Sequence, residues 1–104
     1  MKRRNFEEFL ATRAAQDLRV IDVREQDEYE EVRVKGVELF PLSRLERGEL
    51  PAEDEREVWV ICRSGGRSQI ACDILEDAGW PECTNIDGGT LAAIDIDEAL
   101  VERG

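Results

Sequence analysis

At 104 residues, with 25 acidic and 14 basic side chains, no histidine and a net charge of -11, the chain has the length of one domain. The charge argues against nucleic acid or an anionic membrane as the main partner, and the lack of histidine excludes Cys-His catalysis and any histidine-bearing metal site. Three cysteines at long spacings, Cys62, Cys72 and Cys83, fit neither a disulfide framework nor a C-x-x-C metal site.

The opening MKRRNFEEFL turns acidic at Glu7 and Glu8, where a signal peptide would need an apolar stretch, and no apolar run reaches membrane-spanning length. A reducing cytoplasm is the expected compartment, with the cysteines as thiols. Asn5 is positioned to cap a helix whose apolar face is Phe6, Phe9, Leu10 and Ala14. LRVIDV, residues 18 to 23, is short, β-branched and nearly continuous, which predicts a buried strand. The charged connection REQDEYEEVRVKG follows, with one helical turn around Asp27 to Glu31. VELF makes a second short strand before Pro41, and PLSRLERGEL a turn of helix or loop.

After the exposed loop PAEDERE, the wholly apolar VWVI of residues 58 to 61 predicts a strand. From Ser68 the positions Ile70, Ala71, Ile74, Leu75 and Ala78 follow helical spacing, and Gly79 with Pro81 ends that helix. CTNID reads as a last strand, Gly88-Gly89 as a tight turn, and Thr90 as the cap of a closing helix through Leu91, Ile94, Ala99 and Leu100. This alternation predicts an α/β fold, a small parallel sheet flanked by helices on both faces, with any ligand crevice beyond the carboxyl ends of the strands.

The loop CRSGGRS, residues 62 to 68, lies at that end. Gly65-Gly66 allows the backbone to curl until successive N–H groups point inward, a nest that suits an anion. The positive end of the following helix and the guanidinium groups of Arg63 and Arg67 add to it. Such surroundings lower a cysteine from its usual ~8.5 to about 7 or below, favouring a thiolate. Residues 58 to 72 hold two arginines and no acid, an electropositive island in an acidic protein.

Taken together, IDVREQDEY at residues 21 to 29, CRSGGRS with its helix to Gly79-Trp80, and NIDGG at residues 85 to 89 resemble a single-domain rhodanese, over nearly the whole chain. The resemblance implies one three-layer rhodanese-like domain over residues 1 to 104 and a sulfurtransferase that uses no metal or organic cofactor. The implied partners are a small anionic sulfur donor, thiosulfate or a polysulfide, and a thiol, protein-thiol or cyanide acceptor. Cys62 matches the nucleophile and persulfide carrier. Arg63 and Arg67 match groups that bind sulfonate oxygens, and the backbone from Arg63 through Ser64, Gly65, Gly66 and Arg67 to Ser68 cradles the sulfur. Asp22 and Arg24 match a structural pair.

The chain departs from the family pattern in VRVKGV, where Val32, Arg33 and Lys35 replace Gly, His and Pro and only Gly36 is kept. It departs again at Ala93, where a tryptophan often stands. Both positions bear on acceptor choice and packing rather than on the nucleophile.

Simpler readings stand beside these. Cys72 and Cys83 are structural, Arg63 could be a solvated surface residue, and the acidic runs Glu25 to Glu31 and Glu53 to Glu57 are solvated faces. Two other classes share the features: cysteine-dependent phosphatases and non-catalytic rhodanese-fold binding modules. The phosphatases resemble Cys-x5-Arg, one residue longer than the four between Cys62 and Arg67, and the inactive modules tend to lack the loop cysteine.

Overall fold

A computed structural model describes all 104 residues. Its elements are β1 (Lys2–Asn5), α1 (Phe6–Ala15), β2 (Arg19–Asp22), α2 (Gln26–Glu31), β3 (Val32–Val34), β4 (Glu38–Leu39), α3 (Leu42–Glu46), β5 (Val58–Ile61), α4 (Gly66–Asp77), β6 (Thr84–Asp87), α5 (Gly89–Ile96), a 3-10 turn (Glu98–Leu100) and β7 (Val101–Arg103). Five strands form one sheet in the order β1-β6-β5-β2-β4, and every pairing in it is parallel.

Strand periodicity divides the core into two layers. Ile21, Val58 and Val60 point to the face covered by Leu42 and Leu45 of α3 and Ala71, Cys72 and Leu75 of α4. Val20, Trp59 and Ile61 point to the opposite face, against Phe6 and Phe9 of α1 and Ala93 of α5. The predicted three-layer α/β architecture is therefore the one observed. From β2 the chain moves outward to β4, and from β5 it moves the other way to β6, so the strand order reverses between β2 and β5. A crevice at the carboxyl ends of those two strands is where such sheets bind ligands.

The structure adds elements to the expected ones and corrects others. Lys2–Asn5 is an edge strand, although all four of its side chains are exposed and carry no alternating pattern; backbone bonds to β6 make it one. The charged connection contains β3, which pairs antiparallel with β7. The closing helix ends at Ile96, and Asp97 accepts a bond from Ala99 N at 2.9 Å to start the 3-10 turn.

Thr90 is not a cap: Gly88, at φ 86°, occupies that position and Thr90 lies inside α5. The buried face of α4 runs through Ser68, Ala71, Cys72 and Leu75, whereas Ile70 is 48% exposed. Asn5 does cap α1, in a capping box with Glu8. No helix is long and apolar enough to cross a membrane.

Candidate functional site

Cys62 follows the last residue of β5 directly, so the sheet fixes its backbone at the switch point. Its carbonyl accepts bonds from Thr90 N at 3.0 Å and Thr90 Oγ1 at 3.2 Å, and the Arg63 carbonyl accepts from Leu91 N at 3.1 Å. The first turn of α5 thus holds the start of the loop. Gly89, at φ 56°, lies so close that an added Cβ would overlap the carbonyl oxygens of Cys62 and Arg63, which explains a glycine in the turn beyond its φ preference.

Cys62 is only 1% exposed, under the loop that leads into α4. Gly65 N donates to Cys62 Sγ at 3.1 Å, and Ser68 Oγ lies 3.4 Å from the same sulfur. Burial is the largest single influence on this thiol and opposes its ionisation. The Ser68 hydroxyl and the N–H groups of Ser68, Gly65 and Ser64 together outweigh it and bring the pKa below its ordinary value. The direction matches the sequence reading, and the chief donors are the loop amides it named together with the Ser68 hydroxyl. Of the Gly65-Gly66 pair only Gly65 uses positive φ, at 114°, and Gly66 is an ordinary first residue of α4.

Arg67 does not stand free at the loop. Its two terminal nitrogens donate to the Glu28 carboxylate at 2.6 and 2.8 Å, joining α4 to α2 across the crevice. The bond from Arg67 holds Glu28 down at about 2, against the smaller opposing effect of burial. The run Glu25 to Glu31 is therefore not uniformly a solvated face, and the loop's positive field is partly neutralised by an acid 39 residues away in sequence. Nothing local in the sequence distinguishes Glu28 from its acidic neighbours.

Arg63 is exposed and has no carboxylate or hydrogen-bond partner for its guanidinium. It lines a pocket of about 270 Å³ together with Glu28, Glu31, Thr90, Leu91 and Ile94. At the floor of the site Asp22 and Arg24 form a fully enclosed pair, Arg24 Nη2 lying 2.8 Å from Asp22 Oδ2 and 2.7 Å from the carbonyl of Val32. Every donor and acceptor there is occupied, as a structural role requires.

On the other side of the loop, Ser68 Oγ donates to Asn85 Oδ1, and Asn85 Nδ2 donates to Asp87 Oδ1 at 2.7 Å. Asn85 has no role in the sequence reading, although a polar residue in the middle of a buried strand is a signal. Cys72 and Cys83 lie in the same core layer, both fully buried, and Cys83 Sγ donates to the Pro81 carbonyl at 3.6 Å. The neighbouring Cys83, with burial, pushes Cys72 far above the usual thiol range, so it keeps its proton; both cysteines belong to the core and not to the loop.

The rhodanese-like domain profile matches residues 5–93. The chain belongs to the rhodanese-like domain family. It is 32% identical over 71 residues to the putative sulfur carrier protein YrkF of Bacillus subtilis, a match covering 68% of this chain and 38% of that protein. It is also 32% identical over 73 residues to the thiosulfate sulfurtransferase GlpE of Coxiella burnetii, covering 70% of this chain and 68% of that one. The human single-domain sulfurtransferase TSTD1 has the same fold, with a TM-score of 0.80 at 19% identity over 94% of this chain and 99% of that structure. The chain thus spans well under half of YrkF and about two thirds of GlpE, and relatives of this rhodanese-like domain are named both as sulfur carriers and as sulfurtransferases.

Proposed function

We propose that this rhodanese-like protein is a sulfurtransferase in which Cys62 carries sulfane sulfur from thiosulfate or a polysulfide to a thiol, protein-thiol or cyanide acceptor. The observation that carries the reading is the position of Cys62 Sγ, at the strand-order reversal and 3.1 Å from the Gly65 N–H, beneath a loop whose other amides also favour its anion.

In the first half-reaction the Cys62 thiolate attacks the outer sulfur of thiosulfate. A new S–S bond forms, the bond to the sulfonate sulfur breaks, and sulfite leaves with the electron pair. The amides from Arg63 through Ser64, Gly65, Gly66 and Arg67 to Ser68 surround the added sulfur. The unpartnered Arg63 meets the sulfonate oxygens, and Arg67 does so while shared with Glu28. In the second half-reaction the acceptor attacks the outer sulfur and Cys62 departs as the thiolate that the loop stabilises. The chemistry suits a reducing compartment such as the cytoplasm, where the thiol is maintained.

A coupled assay of thiocyanate formation from thiosulfate and cyanide tests this. Activity lost in Cys62→Ser and retained in Cys72→Ser and Cys83→Ser supports the reading. Aryl phosphate hydrolysis of comparable rate, dependent on Cys62, would replace it with phosphatase chemistry.

A further inference from the structure

Ser68 has one hydroxyl proton and two claimants for it. Its Oγ lies 3.4 Å from Cys62 Sγ and also donates to Asn85 Oδ1. The orientation of Asn85 is not free, because Nδ2 is occupied by the acceptor-only carboxylate of Asp87 at 2.7 Å, which turns Oδ1 towards Ser68. Asp87 is held in turn by Arg3 Nε at 3.2 Å, from the edge strand β1. Asn85 and Ser68 are both fully buried, and Asn85 Oδ1 accepts from no donor except Ser68.

We propose that Asn85 is a positioning residue for Cys62, directing the Ser68 hydroxyl proton away from the sulfur while Cys62 is a thiol. In that state S–H donates to Ser68 Oγ and Ser68 Oγ–H donates to Asn85 Oδ1, so the chain of donors is complete. When Cys62 ionises, its proton leaves to solvent and the sulfur becomes an acceptor facing an oxygen lone pair. Ser68 can meet the anion only by rotating about its Cβ–Oγ bond, with no covalent bond broken. The rotation leaves Asn85 Oδ1 buried without a partner, at the cost of a lost hydrogen bond.

Asn85 therefore limits how far Ser68 can favour the thiolate, whereas the loop amides favour it without that cost. The result is a thiolate that the loop amides favour, but less strongly than they would if Ser68 were free to turn to the sulfur. The other charged groups around the sulfur are Arg63 in the loop, Arg67 of α4 with Glu28 of α2 upon it, and the Asp22–Arg24 pair at the end of β2. None of them contacts Ser68 Oγ or Asn85 Oδ1, so their influence remains constant when Asn85 is changed.

This proposal deepens the sulfurtransferase reading by assigning a residue that tunes the same sulfur, but its test does not require sulfur transfer. The rate of iodoacetamide alkylation at Cys62, followed by peptide mass mapping from acid to alkaline pH, gives the thiol midpoint in the whole chain. Asn85→Leu frees the Ser68 proton for the sulfur and lowers the midpoint by about one pH unit, the size expected for a hydrogen bond to a charged group. In a Ser68→Ala background the same change has no effect.

Asp87→Asn is isosteric and half-exposed, and it serves if the Leu variant fails to fold. Without the fixed carboxylate, Asn85 can turn its Nδ2–H to Ser68, so the midpoint falls further with Ser68 present than in the Ser68→Ala background. A midpoint that rises or stays in Asn85→Leu, or shifts equally in both backgrounds for either variant, overturns the proposal. Thiosulfate loading of the parent separates the two claims. No sulfur uptake with a Ser68-dependent shift contradicts only the sulfur-transfer reading, and uptake with a Ser68-independent shift contradicts only the role of Asn85.

Discussion

Arg67 and Glu28 face each other as a fork on a carboxylate, at 2.6 and 2.8 Å, and so the second arginine of the loop is shared between an acid of α2 and the sulfur site. Bidentate geometry of this kind is the strong form of an ion pair. It fixes where the guanidinium sits and reduces the charge it offers to an incoming anion.

Releasing Arg67 should therefore strengthen donor binding. Glu28→Gln is expected to lower the KM for thiosulfate about threefold to tenfold, a gain of about 0.7 to 1.4 kcal/mol. Arg63→Ala and Arg67→Ala should each lower kcat/KM about tenfold or more, the loss of a charge-assisted bond worth about 1.5 to 3 kcal/mol. Steady-state kinetics at fixed ionic strength checks all three. Unchanged constants in both arginine variants would leave the backbone as the whole binding site.

The same pair predicts a pH dependence of stability. Glu28 is held at about 2 in the folded protein against an ordinary 4.5, so the folded state binds this proton less readily than the unfolded chain. Its contribution is fully present above the unfolded value and is lost as pH falls through that value towards 2. Urea titrations of the parent and Glu28→Gln should differ by a constant amount near neutrality, and the difference should shrink between about pH 5 and pH 2. A constant difference over that range would mean that the pair is not formed in solution.

What could be read from the sequence was the local part. VWVI followed at once by CRSGGRS places a cysteine, a curled loop and a helix start within a dozen residues, and each of those signals is short-range. Glu28 was hidden because its partner lies 39 residues away, and it carries the same charge as its neighbours. β1 was hidden because a strand made by backbone pairing at a sheet edge needs no apolar pattern. β3 and β7 are three residues each and gain their structure only from one another. On α4 the helical spacing fitted two adjacent stripes, and the sheet selects the one through Ser68 and Cys72 instead of the one through Ile70.

The two neighbouring glycines of the loop should behave oppositely. Gly65 sits at φ 114°, where an L side chain is strained even though a Cβ there would make only ordinary contacts, so Gly65→Ala should cost about 1 to 3 kcal/mol and slow Cys62 chemistry. Gly66 has ordinary helical φ and open space around its Cβ position, so Gly66→Ala should be neutral or stabilise by about 0.4 to 1 kcal/mol. Thermal melts of the two variants give the comparison, and equal losses would contradict the assigned loop geometry.

Asp22 and Arg24 test the structural reading. Removing one partner leaves an uncompensated buried charge, so Asp22→Ala should destabilise the fold by about 3 to 5 kcal/mol. Replacing both residues by apolar ones of similar volume should cost less than either single change. Sulfur transfer per folded molecule should persist in the double variant, and its complete loss there would move the pair from scaffold to mechanism.

The central claim is that the sulfur is carried on Cys62. The measurement that tests it most directly is the intact mass of the protein after incubation with thiosulfate and removal of excess donor, followed by peptide mapping. The predicted result is the gain of one sulfur atom on the peptide containing Cys62, its removal by cyanide, no gain in Cys62→Ser, and full gain in Cys72→Ser and Cys83→Ser. Sulfur retained on the Cys62→Ser protein, or a gain that requires Cys72, would contradict it.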